Sequence, residues 1–429
     1  MIAELVSTSL DRRGVHYAWV IAAVTFFAML TTSAALGLPG AMLQPLSREF
    51  GWTNDQLSSV FAVRFALFGL LGPFAALFIA RFGLRHIMVT AASLIAVAMA
   101  LATGVTQLWQ MFLLWGLVLG CGTGLTALVL GAMVANRWFT AHRGLVVGLF
   151  AASTATGQLI FLPVAAWLIE HLGWRYAVIP VFIACVVVAL LATLFMRDHP
   201  RDVGLRSYGE PEGTPQDAPA ASAALNLFGP FTVLAQVLHN RTFLILAGTF
   251  FSCGLSTNGL MQTHFISLCS DNGLSVVPAA SVLAMMGAFD LVGTTLSGYL
   301  SDRFDNRKLL FWYYGLRGLS LFWLPFSSFT LYGLSVFAMF YGLDWIATIP
   351  PTVKLAAQEF GKEKAGMIFG WVFAAHQLGA ATAAYGAGRT RTLLLTYNPA
   401  LFAAGAACLF AAVLVMGIQR QLPAAVKAA

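Results

Sequence analysis

The chain is 429 residues long, 59% hydrophobic and only 10% charged, with a net charge of +7 and a mean hydropathy of +0.80. So little charge excludes a soluble globular protein of this length. The basic balance follows from how a membrane chain distributes its loops, and is no argument for nucleic-acid binding.

A hydrocarbon core of roughly 30 Å needs about 20 apolar residues per helix, and such runs recur twelve times. In chain order the predicted spans are Tyr17–Leu43, Gln56–Ala80, Ile87–Val105, Leu108–Asn136, Gly144–Glu170 and Trp174–Met196, then Thr242–Leu268, Val277–Leu300, Leu309–Ser328, Thr330–Val353, Ala365–Gly388 and Thr396–Ile418. Arg12-Arg13 precedes an apolar run too long for a secretion signal and without a small-residue cleavage site, so it reads as an uncleaved first span. With both termini cytoplasmic, 18 of the 24 Lys and Arg fall inside, only Arg48, Arg175, Arg389 and Arg391 fall outside, and Arg64 and Arg317 lie within spans. That asymmetry satisfies the positive-inside rule. The protein is expected to be integral to the cytoplasmic (inner) membrane of a bacterium, with both termini cytoplasmic, and to be monomeric. The five cysteines, Cys121, Cys185, Cys253, Cys269 and Cys408, lie on different helices without metal-like spacing and read as small packing residues.

The chain divides into a six-span half (1–196), a linker (197–241) and a second six-span half (242–429). The linker holds Pro200, Pro211, Pro215 and Pro219 with many acidic residues, and is expected to be mostly disordered, with an interfacial helix over Leu225–Asn240. A shift of 222 residues lays Gly37-Leu38 on Gly259-Leu260, Gly51 on Gly273, Ser59-Val60 on Ser281-Val282, Ala62 on Ala284 and Arg81-Phe82 on Arg303-Phe304. One register kept over about 45 residues marks an internal repeat, and six spans per copy make the repeats parallel.

Two loops carry a family resemblance. Gly298-Tyr-Leu-Ser-Asp302-Arg303-Phe-Asp305-Asn-Arg307-Lys308 resembles the G-x-x-x-D-R-x-G-R-R/K loop of the major facilitator superfamily, with Asp305 at the usual glycine. Ala76-Leu-Phe-Ile-Ala80-Arg81-Phe-Gly83-Leu-Arg85 resembles its counterpart, with Ala80 at the acidic position. The resemblance implies an all-α membrane transporter of twelve helices in two parallel repeats, and a charged cytoplasmic latch built from Arg81, Arg85, Asp302, Arg303 and Arg307. Loss of the acid at Ala80 implies that the halves latch asymmetrically. Arg143-Gly144-Leu-x-x-Gly148-Leu after Trp138-Phe139, Ala288-Phe289-Asp290 and Ala374-Ala375-His376 are similar to the monocarboxylate and oxalate–formate branch. In that branch an arginine stands four residues after the eighth-span aspartate, where this chain has Thr294.

Ionisable residues inside a bilayer are costly and need partners or a function. The mid-span set is Arg64, Asp290, Arg317, Asp344 and His376, with His264 nearer the outer face. By helical rise, Asp290 lies roughly 18 Å above Asp302, Arg317 about 12 Å in from Leu309, and His376 about 16 Å in from Ala365. Asp290, Arg317 and Asp344 read as a buried charge network, with Arg317 either structural or in contact with ligand. Arg64 has only Val60, Phe61, Leu67 and Phe68 on its stripe. Its counter-charge is therefore expected to arrive with the ligand, the alternative being an arginine that snorkels outward. Asp290, His376 and His264 are the candidates for proton coupling, the histidines alternatively being packing residues, and His376 is also a candidate for substrate binding with Arg64, Gln158, Asn258 and Gln262. Gln158 with Thr154, and Asn258 with Gln262, are i,i+4 pairs expected on the cavity wall, and His264 turns away from the second pair. Pro350-Pro351 is expected to break the tenth span near the cytoplasm.

No nucleotide loop, nucleophile–base pair or metal cluster is present in the sequence, so neither an enzyme, a cofactor nor a metal site is expected. The reading is a secondary carrier moving a small organic anion, a monocarboxylate, by alternating access coupled to a proton or a counter-anion. The alternatives are an efflux carrier for drugs or metalloids and a membrane sensor that binds without transport.

Overall fold

In the computed structural model the described residues are 2–126, 128–211 and 227–419. Eleven helices among them are long and apolar enough to cross a membrane. They are the first to eighth spans, Ala18–Phe50, Asn54–Phe82, Leu84–Ala102, Leu108–Trp138, Arg143–His171, Trp174–Phe195, Arg241–Asp271 and Val276–Arg303, and the tenth to twelfth, Leu331–Phe360, Lys364–Leu394 and Asn398–Val415. Asn306–Trp323, the ninth span, completes the bundle but carries Arg307, Lys308 and Arg317. Helices extend several residues past the apolar runs, because backbone satisfied within the helix costs nothing extra where it enters water. The first span even passes through Pro39 and Pro45, which a packed membrane helix tolerates.

Turn chemistry repeats with the halves. Gly51 and Gly273, equivalent under the shift of 222, both have left-handed backbone, with φ of 69° and 85°. Gly83 has φ of 85°, whereas its counterpart Asp305 has φ of −64° and uses its carboxylate to cap the ninth span, accepting from Arg307 N at 3.0 Å. A glycine is thus unnecessary where the side chain supplies the cap.

The stretch 197–241 is ordered wherever it is described. Tyr208 N donates to Trp138 O at 2.8 Å, and Thr140 N and Ala141 N donate back to Tyr208 O. The Tyr208 ring sits among His16, Trp19, Phe139 and His142. The expected interfacial helix is Gly229–Val237, and Trp371 Nε1 donates to Pro230 O at 2.9 Å. Local polarity does not register these long-range partners of the two ends of the linker. Residues 212–226 lie outside the described residues.

The halves meet along seams between the second and eleventh spans, the fifth and eighth, and the first and seventh. Phe61 and Phe65 pack with Ala380 and Ala384, and Leu162 and Ala166 with Ala279 and Ala280. A Cβ on Gly40 would collide with the Gln262 carbonyl, and one on Gly388 with Ser58. These contacts close the end of the bundle away from the linker. Arg389 Nη1 reaches Asp55 Oδ2 across the halves at 3.1 Å, and Val277 N donates to Glu170 Oε1 at 3.2 Å. Arg391–Asp271 and Arg175–Glu49, both at 2.6 Å, brace each half separately. At the linker end, Gly144, Gly148 and Gly298 have open space around them.

Candidate functional site: a central cavity between the halves

A cavity of about 780 Å³ lies between the halves and reaches Gly144 and Gly298 near the linker ends of the fifth and eighth spans. Its wall mixes aromatic side chains, among them Phe68, Phe250, Phe373 and Trp345, with hydroxyls and amides. Asp290 and His376 are the titratable carboxylate and imidazole among the described lining residues, and no Lys or Arg is among them.

The seventh span reaches this wall through a π-helical stretch, Leu255–Gln262. Thr263 Oγ1 donates to Asn258 O at 2.8 Å, a contact five residues back that belongs to the wider turn. Asn258 and Gln262 both line the cavity, although the helix between them is not the i,i+4 helix assumed from sequence. Gly254 and Gly259 press against His376 and Ala380 of the eleventh span. His264 stands apart from the cavity lining. Its Nε2 donates to Ala384 O at 2.8 Å, and its ring lies 5.2 Å from that of Tyr397.

The tenth span breaks at Trp345–Thr348, just before the prolines rather than at them. Pro350 and Pro351 occupy the first turn of the segment Ile349–Phe360, where no helical N–H is lost. The broken backbone is held from two helices, the ninth span through Arg317 and the eighth through Asp290 and Ser297. Arg317 Nε donates to Asp344 Oδ2 at 2.6 Å, while its Nη2 bonds the carbonyls of Asp344 and Trp345. Ile346 N donates to Asp290 Oδ1 at 2.9 Å, and Ser297 Oγ to Ala347 O at 2.5 Å. The three-member charge network read from sequence is therefore an Arg317–Asp344 pair and a separate Asp290 carboxylate, both fastened to the same break. Thr294, where the resembled branch has arginine, donates its hydroxyl to Asp290 Oδ1 at 2.9 Å. Hydroxyl and amide thus replace a cation as partners of this acid.

Arg64 is 1% exposed and has no acidic partner among the described residues. Its guanidinium lies 4.5 Å from the Phe65 ring centroid and 5.7 Å from that of Phe61, and its Nε and Nη1 make no hydrogen bond. It lies outside the cavity lining. Phe68, one helical turn on, forms the wall. The Gln158 side chain lies outside the described residues. His376 lines the cavity with Nδ1 unpartnered, its ring parallel to Phe373 at 5.8 Å.

The latch loops lie at the linker end. Lys354 Nζ pairs with Asp302, joining the tenth span to the eighth. Arg303 lies over Tyr299 at 4.2 Å, and Arg307 pairs with Asp305 at 2.7 Å while donating to Ile418 O. In the first half, Arg81 ends the second span, and Arg85 N donates to Asp198 Oδ1 at 3.0 Å. A carboxylate from just beyond the sixth span thus caps this loop through a backbone amide, a contact that local motif spacing could not reveal. An exposed pair such as Lys354–Asp302 is worth under about 1 kcal/mol, enough to bias a conformational step. Asp302→Asn is accordingly expected to slow transport while ligand affinity, measured by equilibrium binding, stays within a few-fold. Lost binding at unchanged turnover would instead place the loop in the site.

Sequence reading missed Gln377, Cys253 and the Asp55–Arg389 clamp. Gln377 carried a usable signal, a second polar side chain beside His376 in mid-membrane. Cys253, hydrogen-bonded by Arg317 Nη1 at 2.9 Å, and the Asp55–Arg389 pair depend on long-range neighbours and had none.

Two parallel six-helix halves clamped at one end around a central cavity define a membrane transporter rather than an enzyme. The family model of the Major Facilitator Superfamily matches residues 21–384, and the chain belongs to that superfamily. It is 25% identical over 378 residues to the uncharacterized MFS-type transporter YcxA of Bacillus subtilis (strain 168), covering 86% of this chain and 87% of that protein. It is 26% identical over 400 residues to monocarboxylate transporter 13 of Bos taurus, covering 91% and 86% respectively. The fold is also that of a D-xylose–proton symporter, with a TM-score of 0.71 at 16% identity over 94% of this chain and 98% of the other.

Proposed function

We propose that the protein is a secondary carrier of a small monocarboxylate, working by alternating access with a coupled proton. With the linker end cytoplasmic, as the arginine distribution asks, the conformation faces inward: clamped outside by Asp55–Arg389 and open inside between the fifth and eighth spans. The observation that carries the anion reading is Arg64, a desolvated guanidinium without a carboxylate partner among the described residues, one turn beyond the cavity wall. Such a group is stabilised when a ligand brings the missing charge. The similarity to monocarboxylate transporters supports the same substrate class. Asp290 is the proton carrier in this account. It lies on the wall, 5% exposed, and its bond to Ile346 N joins its charge state to the tenth-span break.

One observation favours a second reading, efflux of an uncharged apolar solute: the described cavity lining has aromatic faces and no Lys or Arg. The coupling test separates the readings. An inward proton gradient should drive carboxylate uptake into proteoliposomes, and Asp290→Asn should keep counterflow exchange but lose the gradient-driven component. Wild-type uptake insensitive to the imposed gradient would remove Asp290 from the mechanism and favour anion exchange.

A further inference from the structure

Gln377 is 1% exposed, and neither its Oε1 nor its Nε2 has a hydrogen-bond partner among the described residues, yet it lines the cavity. A buried amide left unpaired costs on the order of 1–3 kcal/mol for each lost bond. The side chain cannot easily swing toward another partner. A Cβ added to Gly69 would collide with Gln377 Cβ, so the glutamine stem is fitted into the groove that the missing side chain leaves on the second span. Next to it, the unpartnered His376 Nδ1 lines the same wall, between Phe250 and Phe373. By register along the second–eleventh seam, Gly69 lies just over one turn inward of Arg64. Gln377 therefore packs on the second span just over one turn inward of the buried cation.

We propose that Gln377 is a specificity-determining residue, whose amide takes both an acceptor and a donor from a ligand bearing an oxygen substituent beside its carboxylate. The chemistry follows from the side chain. Nε2 donates to a carboxylate or carbonyl oxygen, and Oε1 accepts from a hydroxyl, so only a ligand offering both satisfies the amide. A site built around a buried polar group rejects a ligand that leaves it unpaired far more strongly than an apolar pocket rejects an added hydroxyl. This inference rests on the carboxylate reading above.

The test is competition and direct uptake in proteoliposomes with three probes of nearly equal size: propionate, 2-oxopropionate and 2-hydroxypropionate. Wild type should prefer the hydroxy acid over propionate by about tenfold or more, the value for one satisfied bond, with the oxo acid between them. Gln377→Leu should bring the ratio close to one while propionate transport persists. Gln377→Met serves as a second apolar variant should leucine impair insertion. An unchanged ratio in either inserted variant overturns the assignment, and a variant that is also less heat-stable would identify the amide as a hydrated structural group. Absence of all carboxylate flux in the wild type would defeat the carrier reading itself, whereas flux with an unaltered ratio defeats only the role of Gln377.

Discussion

Replacing Arg317 by alanine is expected to cost about 3–5 kcal/mol of stability, the usual consequence of leaving one member of a buried ion pair without its partner. Both residues are shielded, with side-chain exposures of 0% and 11%, and the guanidinium also bonds two carbonyls at the tenth-span break. Arg317→Ala therefore strands the Asp344 carboxylate and two carbonyls together. Arg317→Met combined with Asp344→Leu should recover much of the loss, because well-packed apolar residues often match a buried pair. It should not recover transport, since the break would lose the bonds that fix its shape. Unfolding in mixed micelles, measured for both variants beside wild type, checks this. A fully stable Arg317→Ala would show that the break is held by packing alone.

Arg64 should govern affinity rather than stability. It offsets no protein charge, so Arg64→Ala removes a desolvated cation and leaves the fold intact, or slightly more stable. For a carboxylate ligand the same change removes a charge-assisted contact of roughly 1.5–3 kcal/mol, about ten- to a hundredfold in affinity. Arg64→Lys keeps the charge and loses the fork, and should fall between wild type and alanine. Arg64 lies beside the seam that the Asp55–Arg389 clamp closes, so pairing with ligand is expected in the outward-facing state. Affinity should therefore be measured from the outer side. A neutral substrate predicts the opposite pattern, with Arg64→Ala silent or tighter binding. Equal affinities across the three proteins would end the anion-site assignment.

The spans and the repeat were legible because each is written locally, in hydropathy and in residues kept in one register. Arg64's lack of an acidic partner among the described residues was also legible, since no acid occupies similar depth in the first half. What sequence could not supply was pairing between distant segments. Asp198 serves a loop more than a hundred positions away, and Tyr208 holds the start of the linker against the fourth span. The tenth-span break was assigned to its prolines, but the backbone opens at Trp345–Thr348 because Arg317, Asp290 and Ser297 bond the freed groups there. In the seventh span a π-helical stretch stands where regular i,i+4 helix was assumed, although Asn258 and Gln262 both line the cavity. Those departures from regular helix lie at the cavity, where discontinuous helices form binding sites in this class of transporter.

The measurement that bears most directly on the account is solute flux through the purified wild-type protein in proteoliposomes, comparing a labelled small monocarboxylate with a neutral apolar solute under an imposed inward proton gradient. The account predicts carboxylate accumulation above the protein-free control, abolished when the gradient is collapsed, and no protein-dependent movement of the neutral solute. Protein-dependent flux of the neutral solute with none of the carboxylate would contradict it.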